Sequence, residues 1–210
     1  MSLTDISLPS MSVRDITTLR AMARWAPGTP ERLQAAAFEL FAAQGFDKTT
    51  AAEIAQSAGV NERTFFRHFG DKREVVFYGQ DVFVQAFVSG VEAGPSGAEP
   101  MELVASALAS GSMLFTNERR THSRIRQSVI NGNPALRERE RQKLAELAVE
   151  IANAMRVRGV VDPAAILAAE SAVTVFSVAF AQWIRATNRV PLASIAGDVL
   201  GVLRAISQPH

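Results

Sequence analysis

The sequence predicts an all-α protein, with an N-terminal three-helix unit holding a helix-turn-helix and a C-terminal helical domain, about nine helices in all. Three observations predict it. Ala is the commonest residue, and Ala, Leu, Glu and Arg, all good helix formers, together make up more than a third of the chain. Strand signals are scarce, with no hairpin dipeptide between alternating runs. Helix starts and stops are legible as capping residues, prolines and glycines. The chain has 210 residues, 48% of them hydrophobic, which is ample for an independent core.

Residues 1–28 read as a leader. Ser12 and Asp15 suit a helix start there, and Arg14, Arg20 and Arg24 supply a basic arm. The first firm helix opens at Thr29 as cap, with Pro30 at its first position. Leu33, Ala37, Leu40 and Phe41 recur on one face. Gly45 stops the helix, and Phe46 is placed to pack back on Phe41. Thr50 and Glu53 form a capping box for a second helix, which Gly59 ends. Asn61 caps a third, running to about Phe69. Asp71 with Glu74 then opens a fourth helix over 72–91. The Gly/Pro/Ser stretch 93–100 is a connection. Further helices are expected near 100–116, 118–130, 134–158, 163–187 and 191–206, with Asn133-Pro134 and Asp162-Pro163 as cap-proline starts. This divides the chain into the leader, a helix-turn-helix unit at 29–75 and a helical domain at 76–210.

Two short helices joined by a glycine turn form a helix-turn-helix, whose second helix fits a major groove. At 100° per residue, Phe65 and Phe69 share the inward face. Arg63 and Arg67 lie opposite, one turn apart, flanked by Thr64 and Phe66, with His68 beside the stripe. Arginine presents a planar fork that matches guanine O6 and N7. Phe66 has only apolar contact to offer, and Glu62 suits cytosine N4 or the helix dipole. Lys48, Thr49 and Thr50 at the second helix, Asn61, and Lys72 at the expected fourth helix complete the DNA-binding set. Over 29–75, six basic residues meet seven acidic ones, and the whole chain carries a net charge of only +1. Recognition must therefore come from which side the cations face.

Residues 31–77 resemble the N-terminal domain of the tetracycline-repressor (TetR) family. The marks are A-x-x-L-F-x-x-x-G-F at 37–46, T-T at 49–50, I-A-x-x-A-G-V at 54–60 and T-x-x-R-H-F-x-x-K at 64–72. The resemblance implies a cytoplasmic homodimer that regulates transcription. It binds double-stranded DNA at an inverted-repeat operator and is released, as a repressor, by a small-molecule effector held in the C-terminal domain. The family commonly has tyrosine where Phe66 stands, so the phosphate contact made by that hydroxyl is missing. The alternative is a small-molecule-binding helical protein whose helix-turn-helix no longer reads DNA.

Candidate effector-pocket residues are Phe83, Phe87, Met101, Leu108, Met113, Phe115, Met155, Phe176, Phe180 and Trp183. Arg124 and Arg126 favour an anionic ligand if they point inward. The "RERERQK" run (137–143) reads as a solvated helix face. Small residues on the last two helices (Ala164, Ala165, Ala168, Ala169, Ala172, Ala193, Ala196 and Gly197) suit a two-fold interface formed by helices near 163–187 and 191–206. The apolar run 163–184 reads as a core helix, not a membrane span.

No enzyme is expected, and no cofactor. There are no cysteines, no Gly-rich phosphate loop follows a strand, and no Ser/His/Asp pattern appears. His122 lies four residues after Glu118 but lacks further ligands, so no metal is expected.

Overall fold

The computed structural model describes residues 28–185 and 189–207, and the expected leader helix lies outside them. The described residues form nine α-helices and two short 3-10 turns, with no strand. The helices are α1 (Thr29–Gln44), α2 (Ala51–Ser57), α3 (Glu62–His68), α4 (Gln80–Glu92), α5 (Pro100–Ser112), α6 (Arg120–Gly132), α7 (Pro134–Val157), α8 (Ala164–Trp183) and α9 (Leu192–Ser207).

Local chemistry explains most boundaries. The Thr50–Glu53 capping box is present in full. Asn61 Oδ1 accepts from Thr64 N at 2.8 Å, and Asn133 Oδ1 accepts from Ala135 N and Leu136 N. Gly45 has φ 87°, and Phe46 packs on Phe41 with ring centroids 5.0 Å apart.

Four boundaries differ from expectation. Gly28, not Thr29, precedes α1, because Arg32 N already bonds Gly28 O and closes the first turn. The helix expected over 72–91 is split into a 3-10 turn at Glu74–Phe77 and α4. Val75, Val76 and Phe77 are all buried in succession, which a 100° step cannot arrange on one face. Gly79 then adopts φ 88°, a left-handed turn that a side chain disfavours, and re-aims the chain into α4. The helix expected over 100–116 ends at Ser112, after which Met113 swings outward. Asp162 does not cap α8. Its carboxylate takes Arg156 at 3.1 Å, and Pro163 occupies the cap.

Two cores result. The larger joins α4, α5, α7, α8 and α9. Here α4 lies so close to α5 that a Cβ on Gly90 would stand 2.6 Å from Ser106 O, and one on Gly111 would strike the Phe87 ring. The alanines of α8 serve this core: Ala165, Ala168, Ala169 and Ala172 are buried within the chain, so they are not an outward face. Among the described residues, α8 is the one helix long and apolar enough to cross a membrane, and it packs against α5, α7 and α9.

The smaller core holds Leu33, Phe38, Phe41, Ile54, Phe65, Phe69 and Val75–Phe77, and it also takes in Ile130 of α6 and Leu136 of α7. Polar ties follow the same seam. Arg126 donates to Val76 O and to Glu140, and lies over the Phe77 ring. Glu74 takes Arg139 at 2.9 Å and Lys143 at 4.0 Å. Two cations of the 137–143 run therefore bind the N-terminal unit instead of facing only solvent. Asn133 Nδ2 donates to Asp47 Oδ1 at 2.9 Å.

Asn133 thus caps α7 and ties it to the α1–α2 loop. Asn133→Ala is expected to destabilise the protein by about 2 kcal/mol, one cap plus one partly buried hydrogen bond. Urea unfolding measures this; a change within about 0.5 kcal/mol, the range of an ordinary surface substitution, contradicts the dual role.

Candidate nucleic-acid interface and effector region

The Thr50–Glu53 box fixes the entry of α2, and Asn61 fixes that of α3. Two rings then set the rotation of α3. Phe65 is 0% exposed, Phe69 is buried beside it, and their centroids are 5.4 Å apart. Everything on the opposite side must face water. Glu62, Arg63, Arg67 and His68 are exposed, and Phe66, at 50% exposure, is a large apolar side chain left on the same surface. Asn61, Lys48 and Thr50 are exposed around it.

Five residues of the expected DNA-binding set have side chains hydrogen-bonded within the fold: Thr50 Oγ1 donates to Glu53 Oε2 at 2.8 Å, Asn61 Oδ1 accepts from Thr64 N, and Thr49, Thr64 and Lys72 are engaged as follows. Thr49 is only 1% exposed, and its hydroxyl donates to Gly45 O. Thr64 donates its hydroxyl to Asn61 Oδ1. Lys72 does not begin a helix. Its ammonium donates to Phe46 O at 2.6 Å and Thr49 O at 2.7 Å, and sits 4.2 Å from the Phe46 ring centroid. Burial lowers its pKa, with Asp47 and Glu53 opposing. The sequence offers no local sign of this, because the partners lie 23 and 26 residues away.

The effector candidates divide in the same way. Phe83, Phe87, Phe115, Phe176, Phe180 and Trp183 form one continuous set of ring contacts between 5.0 and 6.0 Å. Leu108 and Met155 are buried in the same core, and Met101 packs against it. Met113 does not join them; it is 78% exposed. Neither expected arginine offers itself to an anion. Arg124 donates to Ile184 O at 2.7 Å, at the end of α8, and Arg126 belongs to the seam. The arginine that does meet the aromatic set is Arg120, whose guanidinium carbon lies 4.9 Å from the Trp183 ring centroid. Its neighbours in the sequence, Arg119 and Thr121, give no local sign of this contact. Buried polar atoms without a hydrogen-bond partner include Ser112 Oγ, Arg120 Nε and Trp183 Nε1. No group of three metal-ligating side chains occurs among the described residues.

Residues 33–78 match the family described as bacterial regulatory proteins, tetR family. That match covers the three-helix N-terminal unit, which resembles the family. It is 39% identical over 79 residues to the HTH-type transcriptional regulator TcmR of Streptomyces glaucescens, a match covering 38% of this chain. The chain spans 35% of the length of that relative. Among solved structures, FadR of Thermus thermophilus, a TetR-family transcriptional repressor in complex with lauroyl-CoA, is 24% identical, with 86% of this chain and 96% of that one covered and a TM-score of 0.53. FadR of Bacillus subtilis, a transcriptional regulator in complex with stearoyl-CoA, is 17% identical, with 85% and 98% covered and a TM-score of 0.57. Both share the TetR-family fold, here from α1 to α9.

His122 joins the two regions. Its ring meets Phe38 edge-on at 4.8 Å. Partial burial, then Arg126 and Arg119, holds its pKa below the usual histidine value. The unfolded chain therefore takes up this proton first, at about pH 6.5. Stability is expected to be highest above that pH and to fall as pH drops from 6.5 through the lower folded value. His122→Phe keeps the ring contact and should flatten this part of the profile; thermal unfolding between pH 5 and 8 reads it, and parallel profiles would contradict it.

Proposed function

We propose that the protein is a DNA-binding transcriptional regulator. It acts in the cytoplasm as a homodimeric repressor that a small effector releases from an inverted-repeat operator. The observation that carries the reading is the outward stripe of α3. Arg63, Phe66 and Arg67 are exposed on a short helix whose other side is fixed by Phe65 and Phe69. Exposed arginine forks one turn apart suit guanine edges, and Phe66 suits a thymine methyl. Lys48, exposed beside them, suits a phosphate, a contact that sets register more than sequence preference, while the Thr50 hydroxyl and N–H are held by Glu53. Thr49, Thr64 and Lys72 contribute by holding this surface in shape.

A two-fold axis is needed to present two such helices about 34–36 Å apart. The outer face of α8 carries Leu167, Thr174 and Val178, all exposed. Gly197 and Gly201 on α9 face open space at i, i+4, where a partner helix can approach closely. These five residues replace the buried alanines as the proposed interface. Effector binding is assigned to the aromatic core of the second domain. The relatives bound to acyl-CoA support an apolar ligand domain of this kind in the same fold.

Replacing Arg63 and Arg67 together by alanine is expected to lower the preference for the operator over random DNA by 10- to 100-fold or more, since each lost base contact costs about 1–3 kcal/mol. Helicity and dimerisation should be unchanged. Competition binding at fixed salt measures the ratio; an unaltered ratio rejects the assignment of α3.

Sedimentation at micromolar concentration is expected to give a dimer for the native chain and a monomer for Leu167→Glu/Val178→Glu. A monomeric native chain rejects the interface.

A further inference from the structure

A groove of about 540 Å³ lies at the seam between the helix-turn-helix unit and α6. Ligand clefts run from about 300 to 1,000 Å³ and occur preferentially where domains meet. One wall is the end of α1 and the α1–α2 loop, with Phe41 and Phe46. The other is α6, with Ile125 and Val129 one turn apart. Ile125 is 37% exposed, a large apolar side chain on a mostly polar helix. None of these side chains belongs to the aromatic core of the second domain.

Most polar side chains around the groove are committed. Asp47 accepts from Asn133 and is drawn to the Lys72 ammonium. Gln44 donates to Thr49 Oγ1 and to Glu53. Two side chains are not committed. Among the described residues, neither the Lys48 ammonium nor the Ser128 hydroxyl has a hydrogen bond or ion pair, and both residues are exposed. Lys48 belongs to the loop wall and Ser128 to the α6 wall.

The walls set the ligand class. Their apolar side chains call for a hydrocarbon body. One uncommitted cation matches one negative charge. A carboxylate offers two acceptor oxygens, enough for an ammonium on one side and a hydroxyl on the other. Resting on the reading of α3 and its neighbours as a DNA surface, we infer that the seam groove binds an amphipathic monoanion, a hydrocarbon body with a single carboxylate, and that this binding withdraws Lys48 from DNA. Lys48 suits a phosphate when DNA is bound, so a carboxylate on the same ammonium competes with that phosphate.

Calorimetric titration of the full-length protein with decanoate, without DNA, tests the site. Binding is expected. Lys48→Ala should weaken it about two- to fivefold, the worth of a partly exposed charge pair. Ser128→Trp should abolish it, because the ring fills the groove from an exposed helix position. Both variants should keep native helicity. The second measurement is operator affinity over a range of salt, at matched ionic strength, using an operator recovered by selection from randomised duplex DNA. Saturating decanoate is expected to reduce the slope of log affinity against log salt by about 0.9, one phosphate contact. Lys48→Ala should show the reduced slope without decanoate and no further change with it. In Ser128→Trp decanoate should leave the slope unaltered.

Absence of decanoate binding overturns the site, as does binding indifferent to both variants. Loss in Ser128→Trp with Lys48→Ala unaffected overturns the assignment of the anionic group. Binding with the expected losses but an unchanged salt slope supports the ligand class and overturns the withdrawal of Lys48. A native protein that recovers no operator contradicts the regulator reading, and the titration without DNA still decides the site.

Discussion

The helix-turn-helix unit does not complete its own core. Ile130 and Leu136, from α6 and α7, are fully buried among Leu33, Phe38, Phe41, Phe65 and Phe69. A unit of fewer than 50 residues buries too little surface to be independently robust, and borrowed side chains make up part of the deficit. The consequence is mechanical. Phe65 sets the rotation of α3, and the packing that holds Phe65 includes residues of the other domain. A shift of α6 or α7 cannot leave the recognition surface untouched.

The polar ties reinforce the same seam. Glu74, Arg126, Arg139, Asn133 and Asp47 bridge the two units with bonds of about 3 Å. Their contribution to stability is modest where they are partly exposed. Their directional geometry fixes register, which matters more here. Arg120 and Arg124 extend the path: they stand on α6, the helix that supplies Ile130, and bond the end of α8 and the segment after it. One helix therefore touches both the aromatic core and the core of the helix-turn-helix unit. Coupling between the proposed effector region and the proposed DNA surface needs no longer route than α6 itself.

Much of this was legible in the sequence. Capping residues act on atoms two or three positions away, so Thr50–Glu53, Asn61 and Asn133 announced their helices. Helical spacing announced Phe65 and Phe69 as anchors and left Arg63 and Arg67 outside. The six aromatic residues of the effector region were named because they recur at helical spacing in apolar surroundings. What was not legible depends on distant partners. Lys72 looked like a phosphate donor because nothing nearby claims it, whereas two carbonyls from the α1–α2 loop do. Arg126, Arg139 and Lys143 looked like ligand or solvent residues because their partners Val76 and Glu74 lie 50 or more positions away. The break at Gly79 was not read because a single glycine inside a helical pattern is tolerated and Asp71 with Glu74 offers a helix start, although Val75–Tyr78 before it are β-branched and aromatic. Only burial of three successive side chains demands the 3-10 turn.

The central claim is that α3 presents a sequence-reading surface, duplicated by a two-fold axis. Selection of bound fragments from randomised duplex DNA at physiological salt tests it most directly. The account predicts enrichment of an inverted repeat with half-sites about one helical turn apart. A folded dimer that enriches no sequence would contradict it, and would leave the aromatic site as the functional part of a binding protein with a silent helix-turn-helix.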